Sequence, residues 1–233
     1  MSFAIIFLIG HWYLSLFCQS FYLHRYISHR MFHLTRRWNR FFCLATIVSQ
    51  GPSFLRPALY RKLHVRHHSY SDLELDPHSP HHSKNIVLMM KKTLNEYLSA
   101  KDLKEDFPTM IGFFDSLAVR LLFVVAYIAL YLVFTDSLWY LLLVPLHSLM
   151  GPIHGAIVNW FGHKSGYRNF ETNDQSRNTF IRDYLMMGEL YQNNHHARPQ
   201  SLNFSFKSKE VDLTYQVIHL LDKVKIVHNF RDM

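Results

Sequence analysis

The chain has 233 residues and a net charge of +8 with its 17 histidines counted neutral, which allows one domain with a sizeable core or a small multi-span membrane protein. The cationic excess suits phosphate-bearing partners or an anionic membrane surface and says nothing about fold. Two cysteines, Cys18 and Cys43, without CxxC spacing, argue against a disulfide framework or a cysteine zinc site, so the abundant histidines are the feature to follow.

Residues 2–23 carry no charge and are predicted to span a membrane. They lack the basic start and small-residue cleavage site of a signal peptide. Residues 41–60, "FFCLATIVSQGPSFLRPALY", begin apolar but meet Gly51-Pro52 and then Arg56-Pro57. A Gly-Pro step interrupts a helix and an arginine is expensive at mid-membrane, so this is expected to be an interfacial segment entering and leaving on one side. Residues 116–135 and 137–158 are two further spans, forming a hairpin around Asp136. None of the 25 Lys and Arg residues precedes the first span or lies in the hairpin turn. By the positive-inside tendency the N-terminus and that turn face out, while the middle and C-terminal regions share the cytosol. The expected fold is an all-α integral membrane protein, one domain over 1–233. It has three full spans, the interfacial segment and a cytosolic histidine-rich helical cap.

Positions i, i+3 and i+4 share a helix face. His64, His67 and His68 in "LHVRHHSYSD" have that spacing, and Gln192, His195 and His196 in "QNNHH" repeat it with an amide first. Asn159 and His163 form an i, i+4 pair at the end of the last span. His24 and His29 are five apart, about 140° around an α-helix, and are expected to straddle a site. One structural zinc takes four ligands, so eight convergent imidazoles suit two metals. Imidazole binds iron, zinc, copper and nickel alike, so the ligand type does not name the metal. A bundle-type carboxylate centre needs Glu-x-x-His pairs, which the chain lacks. His78, His81 and His82, in the Pro-containing loop "DPHSPHH", are expected at a solvated surface. His11, His147 and His154 lie in spans and are expected to be hydrogen-bonded between helices. His33, His219 and His228 receive no functional reading.

These elements, "HRYISHR", "LHVRHHSYSDLELDPHSP", "NWFGHKSGYRNF" and "GELYQNNHH", resemble in type and order the membrane fatty-acyl desaturase family. The likeness is to its acyl-CoA, delta-9-like branch, in a bacterial-looking variant. The resemblance implies two irons at the cytosolic membrane face, held by His24, His29, His64, His67, His68, His163, His195 and His196. It places Asn159 where the family holds a metal-bound water. Three departures stand out. Gln192 occupies a position usually histidine, the arginine of the second box is shifted to Arg66, and only one span precedes the first box where two are usual. Gln192 is expected either to ligate a metal through its amide oxygen or to hydrogen-bond a ligand.

The resemblance implies desaturation of a long acyl chain, as a CoA thioester or membrane lipid, with dioxygen as co-substrate and two electrons. The metals carry the hard step, and no catalytic residue beyond the ligands is expected. An apolar tunnel is expected to lead to them. No cytochrome b5-like segment, CxxC iron site or GxGxxG motif is present, so a separate ferredoxin-like or cytochrome b5-like donor is expected. A lipid or alkane hydroxylase shares such boxes and differs in yielding an alcohol. A histidine-rich metal transporter would need intramembrane acids along a pathway, and the three spans have none. Nucleic acid is not an expected partner.

Overall fold

The computed structural model describes residues 3–100 and 103–228. Ser2 of the first expected span and both ends of the 1–233 domain lie outside these residues. Helices dominate, and the one sheet among the described residues pairs β1 (His33–Leu34) with β2 (Val227–His228), antiparallel.

Helix α1 covers Phe3–Ser28, 26 residues of mean hydropathy 1.5, long and apolar enough to cross a membrane. Its first part, Phe3–Cys18, is α-helical, and its last ten residues, Gln19–Ser28, are wound as a π-helix. Helix α2 (Arg36–Gln50) starts at Thr35, whose hydroxyl accepts the Trp38 amide at 3.4 Å, and ends at Gly51. Gly51 holds φ +56°, a left-handed conformation in which any Cβ would collide with the Tyr127 hydroxyl. Pro52 follows and the chain turns back through Gly51–Ser53 into α3 (Pro57–Tyr70), which opens on Pro57. The segment at 41–60 is thus the end of α2, a sharp turn and the start of α3.

Helices α4 (Ile86–Ser99) and α5 (Pro108–Asp115) lead to α6 (Leu117–Phe134), a second candidate span of mean hydropathy 2.5. The third expected span is not one straight helix. Helix α7 (Leu138–Ser148, its first turns 3-10) meets α8 (Met150–Lys164) at a 63° bend. Pro152 explains the break: it has no N–H to offer the Ser148 carbonyl, and its ring crowds that carbonyl. The short α9 (Gln192–Ala197) and α10 (Leu213–Lys223) complete the order.

A core of Phe21, Tyr22, Phe32, Phe42, Ile47 and Phe204 ties the end of α1 to α2 and to the C-terminal region. A second cluster packs Leu16 of α1 on Met186, Met187 and Leu190. Together they fix the end of α1 against the loop preceding α9, as the histidines require. Within the spans, His11 Nδ1 lies 2.6 Å from His147 Nδ1, and His147 Nε2 lies 2.6 Å from the Tyr131 hydroxyl. His154 departs from the expectation of an interhelical hydrogen bond. Both its ring nitrogens are buried without a partner among the described residues, and its ring meets the edge of Trp12.

Candidate metal centre

Four elements deliver the histidines: the π-helical end of α1, α3, the end of α8, and α9. His24, His29, His64, His68 and His195 form one group whose ligand atoms lie within 4.8 Å of one another, and His67, His163 and His196 form a second. All eight positions singled out by spacing meet here. The five-residue interval of His24 and His29 works differently from expectation. In the π-helix hydrogen bonds run from i+5 to i, and the two rings lie side by side, 5.0 Å apart, instead of straddling the site.

The nitrogen geometry fits bound cations. His195 Nε2 lies 3.0 Å from both His24 Nε2 and His68 Nε2, and His64 Nε2 lies 2.6 Å from His29 Nε2 and 3.1 Å from His68 Nε2. One ring nitrogen carries at most one hydrogen, so these contacts cannot all be hydrogen bonds. Lone pairs gathered this closely repel unless a cation lies among them. In the second group the His163 Nε2 is buried with no partner.

Carboxylates on the opposite side of four rings fix this orientation. His24 Nδ1 meets Glu189 at 2.6 Å, His67 Nδ1 meets Asp76 at 2.8 Å, His163 Nδ1 meets Asp72 at 2.8 Å and His196 Nδ1 meets Asp174 at 2.5 Å. A hydrogen held at Nδ1 leaves the Nε2 lone pair facing the centre, the arrangement that orients metal-binding histidines. Burial, the largest single influence, would raise the Asp72 carboxyl, but the His163 imidazole, the Gln175 amide and the Ser79 hydroxyl together outweigh it and hold the group at about 2. Burial, then the neighbouring imidazoles, pushes His64 and His195 well below the usual range, so both are neutral at pH 7, as ligation requires. His196 is lowered to about 4 by burial, against the raising effect of Asp174.

None of these four acids was marked by spacing in the sequence. A signal existed: Asp72 and Asp76 follow the second box closely, and Glu189 stands three before Gln192. Asp76 also corrects the expectation for His78. Its carboxylate accepts the amides of Asp72 (2.9 Å) and His78 (3.0 Å) as well as His67, folding the loop onto α3. His78 is consequently 6% exposed, with its ring 4.7 Å from His67, and is not at a solvated surface. His81 and His82 are exposed but engaged, donating to the carbonyls of His163 and Asp72, each at 2.9 Å.

Gln192 is 4% exposed, and its amide nitrogen donates to the Glu189 carbonyl at 2.7 Å. Its side chain lies against Gly162, where a Cβ would strike it. Asn159 is half-buried. Both line a cavity of about 860 Å³ that also reaches His24, His64 and His67. Away from the histidines its wall is largely apolar, with Leu16, Leu59, Leu63, Met90 and Val158.

Apolar helices of spanning length, a buried double group of imidazoles and an apolar cavity leading to it define a membrane protein built to hold metal beside an alkyl chain. A family profile, "Fatty acid desaturase", matches residues 1–205. The chain therefore belongs to the fatty acid desaturase family. Among its relatives is the hex-5-enoyl-[acyl-carrier protein] acetylenase of Moorena producens (strain JHB), 29% identical over 94% of this chain and 74% of that protein. The sn-1 stearoyl-lipid 9-desaturase of Anabaena variabilis is 26% identical over 89% of this chain and 76% of that protein. The acyl-CoA C20 Delta5-desaturase of Anemone leveillei is 28% identical over 85% of this chain and 64% of that protein. The chain is thus an oxidoreductase, a fatty-acyl desaturase with a histidine-lined metal site.

Proposed function

We propose that the two histidine groups hold two irons on the cytosolic face of the membrane and that the acyl chain reaches them through the 860 Å³ cavity. The ligands in this reading are His24, His29, His64, His68 and His195 for one metal and His67, His163 and His196 for the other. The observation that carries it is the convergence of Nε2 atoms from several elements beside a largely apolar cavity that reaches His24, His64 and His67. When bound, the irons supply the dioxygen chemistry needed to attack an unactivated methylene. Two hydrogens leave adjacent carbons, a carbon–carbon π bond forms, and dioxygen is reduced to two waters with two protons and two electrons from a separate donor protein.

The protein's own part is orientation and exclusion. Glu189, Asp72, Asp76 and Asp174 hold the Nδ1 hydrogens and so keep the Nε2 atoms on the metals. Leu59, Leu63 and Val158 keep water from the methylene and fix which carbon faces the centre. No side chain is assigned as acid or base. The acyl group is carried as a CoA thioester, which the acyl-CoA branch implies, or by a membrane lipid, and relatives of both descriptions are known.

Lipid profiling of a host expressing the chain tests this reading. New alkenes that require oxygen and iron are expected. Alcohols in their place would identify a hydroxylase, and an unchanged profile with intact protein and reductant would overturn the proposal.

A further inference from the structure

Helix α4 is bound to the rest of the protein along a narrow strip. Only Met89 is buried, while Val87 is 71%, Leu88 45%, Leu94 52% and Leu98 65% exposed. Lys91 and Lys92 sit midway along the helix. A helix with large apolar side chains uncovered and lysines beside them suits the membrane interface, apolar groups toward the acyl region and ammonium groups toward phosphates.

Val87, Leu94 and Leu98 are also wall residues of the cavity that reaches the histidines. So is Leu149, 51% exposed, at the break between α7 and α8. The cavity is therefore bounded on this side by side chains that are themselves at the outer surface. By contrast, Leu59 and Leu63 of α3, deeper in the same cavity, are 5% and 7% exposed.

The charges along the wall indicate what enters. Arg56 is engaged by Glu105 (3.3 Å) and Asp115 (3.9 Å), and Arg120 by Asp115 (2.5 Å). Among the described residues, Lys91 is the lysine or arginine of this cavity without a carboxylate partner. One spare ammonium suits a phosphodiester head group and matches poorly the several phosphate charges of a CoA carrier. A richer basic group, Arg30, Arg61, Lys62 and Lys104, lines a separate cavity on the opposite face of α3 from Leu59 and Leu63.

We infer that the acyl chain enters sideways from the bilayer past α4, still esterified in a membrane glycerolipid whose phosphate meets Lys91. The inference rests on the desaturase reading for its purpose but not for its test. Full-length protein in phosphatidylcholine vesicles is exposed to phosphatidylglycerol carrying a mid-chain diazirine and, separately, to a diazirine fatty-acyl-CoA. Adducts are mapped by mass spectrometry.

The lipid probe is expected to label Leu59 and Leu63, and excess acyl-CoA should not compete. Leu94→Trp, or Val87→Trp should the first fail to insert, is expected to abolish interior labelling while leaving adducts on the outer face of α4. Lys91→Glu should reduce interior labelling by phosphatidylglycerol about fivefold relative to a diazirine diacylglycerol, which lacks the phosphate. Interior labelling by acyl-CoA alone, lipid adducts confined to the outer surface, or indifference to both wall substitutions would overturn the inference. Interior labelling without alkene formation in a reconstituted, reduced system would count against the desaturase reading and leave the route of entry standing.

Discussion

The amide of His29 donates to the carbonyl of His24 at 3.1 Å, closing a turn over five residues, and the two imidazoles stand 5.0 Å apart. A five-residue interval that would divide an α-helix by about 140° instead gives both rings to one group of imidazoles. The same widened turns put Arg25, fully buried, 2.8 Å from Asp212 and 3.5 Å from Glu189, whose carboxylate also holds His24. The buried charge is thus compensated next to His24. Removal of Arg25 would leave the buried Asp212 carboxylate without its cation in a dry site.

Two metals per chain are the first expected outcome. Protein purified from iron-replete cells should contain about two irons, because eight imidazoles exceed a single four-ligand shell. Zinc in their place would not contradict the assignment, since zinc lies above ferrous iron in the usual affinity order. Full desaturation after thorough iron removal, or desaturation without oxygen, would contradict the assignment.

The carboxylates should act through the imidazoles. Asp174→Asn replaces the acceptor 2.5 Å from His196 Nδ1 with an amide that accepts more weakly. Metal affinity in the three-histidine group should fall about 10- to 100-fold, with membrane insertion intact. Metal titration of the stripped protein measures this. Unchanged affinity would mean that the ring is oriented by its packing alone.

Ligands and neighbours should separate within one stretch of chain. His67→Ala or His68→Ala should abolish desaturation without disturbing insertion, whereas His82→Ala, which loses only a surface contact with the Asp72 carbonyl, should change turnover little. His81→Ala removes a hydrogen bond to the carbonyl of His163 and is expected to have a modest effect. Equal losses at all four positions, read as product formed per unit of inserted protein, would contradict the separation.

Much of this was legible as period and polarity. The uncharged stretches of α1 and α6 and the i, i+3, i+4 spacing in α3 and α9 depend on local sequence alone. The unread parts depend on contacts between distant residues. Spacing could not reveal that Glu189 reaches His24 across 165 positions, or that Asp76 folds a Pro-containing loop until His78 is covered. The π-helix was hidden because period analysis assumes one helical repeat throughout. Pro152 did signal the break at Leu149, but uniform apolarity over 137–158 masked it.

Topology offers a further check. The boxes can share the cytosol only if the α6–α7 turn lies on the opposite side. A reporter fused after Met233 should read cytosolic, and one inserted near Asp136 should read external. The same side for both would break the hairpin and remove the basis for assigning the histidines to the cytosolic face.

Gln192 gives the last test. Its amide nitrogen is committed to the Glu189 carbonyl at 2.7 Å, which leaves the oxygen as the free end of a buried side chain in the cavity wall. An amide oxygen is a weaker metal donor than imidazole, so its expected task is to hydrogen-bond a ligand or a bound water. By holding the Glu189 carbonyl it also steadies the residue whose carboxylate orients His24. Gln192→Ala should therefore cut turnover substantially while both metals remain bound. Gln192→His, which supplies the imidazole usual at this position, should retain part of the activity. Gly162→Ala offers an independent approach, because its new Cβ would displace the Gln192 side chain and should reproduce the Gln192→Ala loss in milder form. Metal content and turnover are measured together for all three variants. Loss of one metal in Gln192→Ala would make the amide a ligand, and no change in either quantity would reduce Gln192 to packing against Gly162.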